Sequence, residues 1–169
     1  MTAVGQVKRA VAAAIKAAGC AAIESYSEEQ LKRYATAVAA VGTKETVIEE
    51  SGAIEYLGEK VDEATQETVS VYGRKMLLTL LIEVYAPRTL GAAGCEEAAE
   101  TITQAMMTAL PEGLKLGSLQ WGKTGWDKTT GMFRLDASAK YAAYFVAEAA
   151  EDETVFTDFV LKGTVKERE

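Results

Sequence analysis

From Tyr72 the chain alternates: Tyr72, Met76, Leu78, Leu80, Ile82 and Val84 fall on one side, Lys75, Thr79 and Glu83 on the other. Successive side chains of a strand point to opposite faces, so this pattern predicts a long strand with one buried face. Arg74 breaks it by falling on the apolar side near the start, and Leu77 and Leu81 predict partial cover on the second face. Pro87, with no N–H to give a ladder, ends the strand. A second alternation runs through Phe133, Leu135, Ala137, Ala139, Tyr141, Ala143, Phe145 and Ala147, with Arg134, Asp136, Ser138, Lys140 and Glu148 opposite. At about 3.3 Å per residue it would span roughly 50 Å, well beyond the ~5–6 residues of a typical strand. Either a bulge bends it or one end projects beyond the body. "EDETVFTDFVLKGTVKE" then returns as a closing strand after an acidic turn at Glu151–Glu153.

Two stretches carry helical spacing instead. Val4, Val7, Val11 and Ile15 recur every three or four residues and predict a helix over residues 2–19, with Gly19 as its stop. "GAAGCEEAAETITQAMMTALPEG" carries the stripe Ala98, Ile102, Ala105, Met106 and Ala109. Glu96, Glu97 and Glu100 are expected in its first turns, where the helix dipole favours acids, and Pro111 and Gly113 close it. The Met106–Met107 pair reads as core filling. "SEEQLKRY" has Ser27 and Gln30 at capping-box spacing and predicts a short turn of helix. "ATAVAAVGTKETVIEE" predicts extended structure with a bend near Gly42, and the polar, acidic residues 52–70 a hairpin or a mobile loop.

Helix, strands, long strand, helix and further strands make an α+β plan: a mostly antiparallel, twisted sheet with helices packed on one face and long projecting hairpin strands. The 169 residues suit a single domain, 1–169, with 43–73 as the possible projecting hairpin or loop. Strand and helix do not alternate as a parallel nucleotide-binding sheet requires.

Composition narrows the chemistry. Apolar residues make up 49% and charged residues 25%, an ordinary soluble balance, and no uncharged apolar run is long enough to span a membrane. Lys8, Arg9 and Lys16 interrupt the apolar N-terminus, which favours an amphipathic helix over a signal peptide. A net charge of −7 disfavours a protein that grips nucleic acid through its phosphates. Cys20 and Cys95 read as two reduced, buried thiols, with one disulfide as the alternative. The chain has no histidine, which removes the His-based nucleophile arrangements, the common zinc sites and the usual base near neutral pH. No catalytic, cofactor or metal residue is assigned, and the expectation is a protein that is not an enzyme.

One motif cuts across this. Gly117, four residues, then Gly122, Lys123 and Thr124 have the spacing of a phosphate-binding P-loop. A working P-loop follows a buried strand and opens a helix, whose backbone amides hold the phosphates. Here Gly125, Asp127 and Gly131 follow, which are turn residues, and then a strand. The segment therefore reads as a glycine-punctuated hairpin or loop between strands. Trp121 is expected in the core, while Trp126 divides between local packing and a protein contact.

The N-terminal helix, "LLIEVYAPR", "EEAAETITQAMMTAL" and "GMFRLDASAKYAAYF" with a closing strand together resemble the tail terminator (tail completion) proteins of long-tailed bacteriophages and prophages. In that family a strand ending "VY.P" leads into a helix of similar length, then a loop and a sheet-forming pair. The resemblance covers about residues 34–165, and residues 43–73 have no obvious counterpart. It implies a structural subunit of a hexameric ring that caps the tail tube and meets the head-side connector, with DNA only as passing cargo and no membrane. The expected places are the cytoplasm of the bacterial host during assembly and then the tail or a phage-like particle. On this reading a projecting hairpin can join a neighbour's sheet, and Arg74, Arg88, Lys123, Trp126, Lys128 and Arg134 are candidate contacts to subunit or tube. Two alternatives stand beside it: another tail, head–tail connector or contractile-particle subunit, and a small-molecule or nucleotide-binding domain using Gly117–Thr124.

Overall fold

The computed structural model describes residues 3–50, 56–61, 63–148 and 158–159. Helix α1 (Ala3–Ala17) buries Val7, Val11 and Ile15, three rungs of the expected stripe. It ends as Gly19 allows: at φ +94° Gly19 donates to the Lys16 carbonyl, and Cys20 donates to that of Ile15. This left-handed closure satisfies carbonyls that the last turn would otherwise leave open. Strand β1 (Ala21–Ile23) leads to α2 (Glu28–Leu31), a single turn whose cap is the expected Ser27; its Oγ accepts the Gln30 N–H at 3.4 Å.

Then come β2 (Val38–Glu49), β3 (Tyr56–Val61), β4 (Thr68–Ala86), α3 (Gly91–Thr108), β5 (Lys115–Trp121), β6 (Gly125–Asp127), β7 (Met132–Glu148) and β8 (Asp158–Phe159). All described strands join one sheet, with the path β1-β2-β4-β7-β5. Among the described strands only β1 and β2 run parallel; the other pairs are antiparallel. The class is α+β with strands dominant. Among the described residues, no helix is long and apolar enough to cross a membrane.

The centre of the sheet is the β4–β7 ribbon, paired without a break from Tyr72 against Ala147 to Ala86 against Phe133. Shorter strands line its two sides, β2 and β3 along β4, and β6, β5 and β8 along β7. Each bulge falls on a flanking strand: at Lys44 in β2, Leu57 in β3 and Gly117 in β5. The length of β7 therefore comes from projection, not from a bend within its pairing with β4.

Helices α1 and α3 pack on one face, where Val11, Ile15, Ala98 and Ile102 meet Met76, Leu78, Leu80, Ile82 and Val84 of β4. A second, smaller core lies on the other face, where Leu31 of α2 meets Ile23, Val38, Ala40, Tyr85 and Met132. The one-face expectation thus holds for the long helices, while α2 covers the opposite side at one end. That is why Val38, Ala39, Ala40 and Val41 are all buried.

Two details of α3 differ from expectation. It begins at Gly91, so its first turn carries no acid, and Glu96 and Glu97 sit one turn further on. Met106 is buried, but Met107 is 75% exposed. The connection 52–70 is a β3–β4 hairpin as far as it is described. Beyond Asp158 and Phe159, the expected closing strand lies outside the described residues, as does the turn at 151–153.

Candidate functional site

The Gly117–Thr124 segment runs strand, turn, strand. Gly117 is the extra residue of the β5 bulge, where a Cβ would lie 3.5 Å from the Lys140 carbonyl. Gly122 donates to the Asp136 carbonyl at 2.8 Å, so its amide faces the sheet. Strand β6 starts at Gly125, and no helix opens there to turn its amides toward a phosphate. Among the described residues no group of three or more Cys, Asp or Glu is placed to hold a metal ion.

The six singled-out residues separate into distinct places. Arg88, just past β4, lies over the Trp126 ring at 6.0 Å, and Trp126 stands edge-on to Phe133 at 5.1 Å. Trp126 is 45% exposed, and Arg88 beside it is exposed as well. Trp121 is half-buried, its Nε1 donating to Thr103 Oγ1 at 2.9 Å, so it locks β5 to α3. Lys123 and Lys128 are exposed in the turns on either side of β6. Arg74 is half-buried in the first half of β4, opposite Phe145 in register.

Arg134 is a structural clamp. It grips Asp136 through Nε at 2.7 Å and Nη2 at 2.9 Å, and reaches Glu83 across the ribbon at 2.6 Å. Its guanidinium also lies 5.8 Å from the Tyr85 ring, and the Tyr85 hydroxyl reaches Glu83 at 3.2 Å. The hydrogen bond to Asp136 pushes the Arg134 pKa up. Burial raises that of Glu83, with Arg134 pulling the other way. Burial likewise raises the Tyr85 hydroxyl. In the β6–β7 turn, Thr130 Oγ1 donates to Asp127 at 2.6 Å and holds that carboxyl below its usual range. Glu83, Tyr85 and Asp136 were not among the singled-out residues. Their signal was present, since all sit on the polar phase of β4 or β7, but it becomes readable only once the register joins Glu83 to Asp136 and Tyr85 to Arg134.

Two surfaces remain apolar. Past Gly42 every residue of β2 from Thr43 to Glu49 is exposed, so here the ribbon has outrun its helices. This arm displays Val47, Ile48, Tyr56, Val61 and Tyr144, from both sheet faces. Tyr56 and Tyr72 brace it, edge-on at 5.7 Å. The second surface is a groove of about 760 Å³ where the end of α3 overhangs β5, lined by Met107, Leu110, Leu114, Leu116, Leu119 and Trp121 among others. Strand β5 is also an edge of the sheet path. Two complementary kinds of surface, a protruding apolar arm and a recessed apolar edge, suit assembly with other protein subunits.

No protein-family model matches the chain, and no curated protein matches it in sequence.

Proposed function

We propose that the chain is a structural assembly protein of a long-tailed bacteriophage or related particle, a tail terminator whose ring caps the tail tube beneath the head-side connector. The observation that carries this reading is the arm: β2, β3 and the start of β4 extend beyond both helix layers with apolar side chains on both faces. An isolated monomer gains nothing from such an extension, because exposed strand pairs invite further pairing. A ring of identical subunits can cover it, provided the rotation between neighbours closes. The "LLIEVYAPR" strand and the following helix, which carry the resemblance, form β4 and α3. Arg88 and Trp126, exposed side by side, are the contact residues favoured for the tube or connector, since aromatic and arginine side chains anchor protein interfaces. The ring would form in the host cytoplasm, act without a cofactor and let DNA pass. The test is to add the purified chain to growing tail tubes and measure tube lengths by electron microscopy. Capped tubes of uniform length with a terminal ring are expected; tubes that grow on unchanged would sink the proposal.

A further inference from the structure

We infer that the arm of one copy docks on the β5 edge of the next, with β3 (Tyr56–Val61) pairing alongside β5 (Lys115–Trp121) so that the sheet continues from subunit to subunit. This rests on the ring reading and names the contact that would build it. Among the described residues, each strand is paired on one side only, β3 with β4 and β5 with β7. Their lengths match, six residues and seven. An added strand satisfies the open N–H and C=O groups of both edges at once.

Shape and charge both favour this pairing. The end of α3 and strand β5 bound an apolar groove, where Met107, 75% exposed, shares the lining with Leu116 and Leu119. One more strand beside β5 would lie along that groove and cover it. On β3, Tyr56 and Val61 are exposed and face the same way as Tyr72 and Thr68, their partners in β4. The hairpin end carries exposed Glu59, Glu63 and Glu67, with one lysine, Lys60, in the same stretch of sequence, whereas β5 and the turns at its two ends carry exposed Lys115 and Lys123 against Glu112. An acidic arm and a basic edge attract each other and repel their own kind. A contact between two different patches is head-to-tail, which is what a ring needs.

The test is sedimentation velocity of the full chain over a concentration series, with charge-reversed variants at exposed positions. Glu59→Lys with Glu63→Lys, and separately Lys115→Glu with Lys123→Glu, are each expected to weaken self-association at least tenfold. Mixing the two variants restores assembly with alternating copies, because the basic arm of one fits the acidic edge of the other and the unchanged acidic arm fits the unchanged basic edge. Carrying all four changes in one chain restores higher assembly. Association untouched by the reversals, or not restored in the four-fold variant, overturns the contact. A wild-type chain that stays monomeric across the series overturns it as well. The tube-capping assay reads the terminator function separately: capping that survives the reversals leaves that reading standing while this one falls.

Discussion

Arg134 of β7 reaches across the central ribbon to Glu83 of β4 at 2.6 Å, and without it Glu83 would face Asp136 as one carboxylate opposite another. Glu83 is only 8% exposed, so its charge depends on that guanidinium. Arg134→Ala removes the partner and leaves a nearly buried acid beside a like charge. Losing a charged hydrogen bond under these conditions costs about 2 kcal/mol, less than a fully buried pair because Arg134 is partly in water. Urea denaturation should show this loss, with Glu83→Gln in the Arg134→Ala background recovering part of it.

The same carboxylate gives the fold a pH signature. Burial, the largest influence, raises Glu83 above its usual 4.5. The folded protein therefore keeps that proton at pH values where the unfolded chain has lost it. Stability from this group is fully present below 4.5 and is lost as pH rises through the higher folded value. Asp127 works in the opposite sense. Its hydrogen bond from Thr130 holds it below its usual 3.8, so its contribution is present above 3.8 and is lost as pH falls through the lower folded value. Urea midpoints measured between about pH 3 and 7 should separate the two. The wild-type advantage over Glu83→Gln shrinks as pH rises above 4.5, and that over Asp127→Asn shrinks as pH falls below 3.8.

Adjacent methionines should behave oppositely. Met106 is 2% exposed and takes the Tyr141 hydroxyl on its sulfur at 3.0 Å. Met106→Ala leaves a cavity and an unsatisfied hydroxyl and should cost about 3 kcal/mol. Met107→Ser should change monomer stability by no more than ~0.5 kcal/mol while weakening self-association. Thermal melts paired with sedimentation check both halves.

Cys95 sits between α3 and the sheet, its Sγ 3.4 Å from the Phe133 carbonyl and 3.7 Å from that of Val84. Burial pushes its pKa up to about 11, and burial raises Cys20 as well. Because the thiolate is the reactive form, neither should react with a thiol reagent at neutral pH while the protein is folded. Both should react promptly in denaturant. Rapid labelling of the native protein would contradict the packing described above.

Gly19→Ala tests the end of α1. The open space there accepts a Cβ, but φ +94° does not suit one. A loss of about 1 kcal/mol is expected from the left-handed strain alone.

What was legible in the sequence was mostly local. The Val7–Val11–Ile15 stripe, the Gly19 stop, the Ser27 cap and the two long alternations each specify their own element. The second core was hidden because Val38–Val41 are all apolar, and an unbroken apolar run does not say which face meets α2. The exposure of Met107 was hidden too. It depends on where the sheet stops beneath α3, and that is decided by the pairing of β5, not by the helix. The Glu83–Arg134 clamp joins residues far apart in sequence, so its parts were visible and their meeting was not.

The unbroken β4–β7 ribbon also sets the order in which its own rungs can close. Chain separation between partners is shortest at Ala86 and Phe133 and grows rung by rung toward Tyr72 and Ala147. Closing a longer loop costs more entropy, so pairing starts beneath α3 and zips outward. Within the ribbon the rungs at Tyr72 and Ala147 are then the last to form and the first to open, and their amides should exchange with solvent well before those beside Ile82, while the β3–β4 hairpin, which closes only the short turn between Val61 and Thr68, can form early on its own. A newly made chain would thus hold a local hairpin and a body around α3 as two early pieces, and the far rungs of the ribbon would join them last.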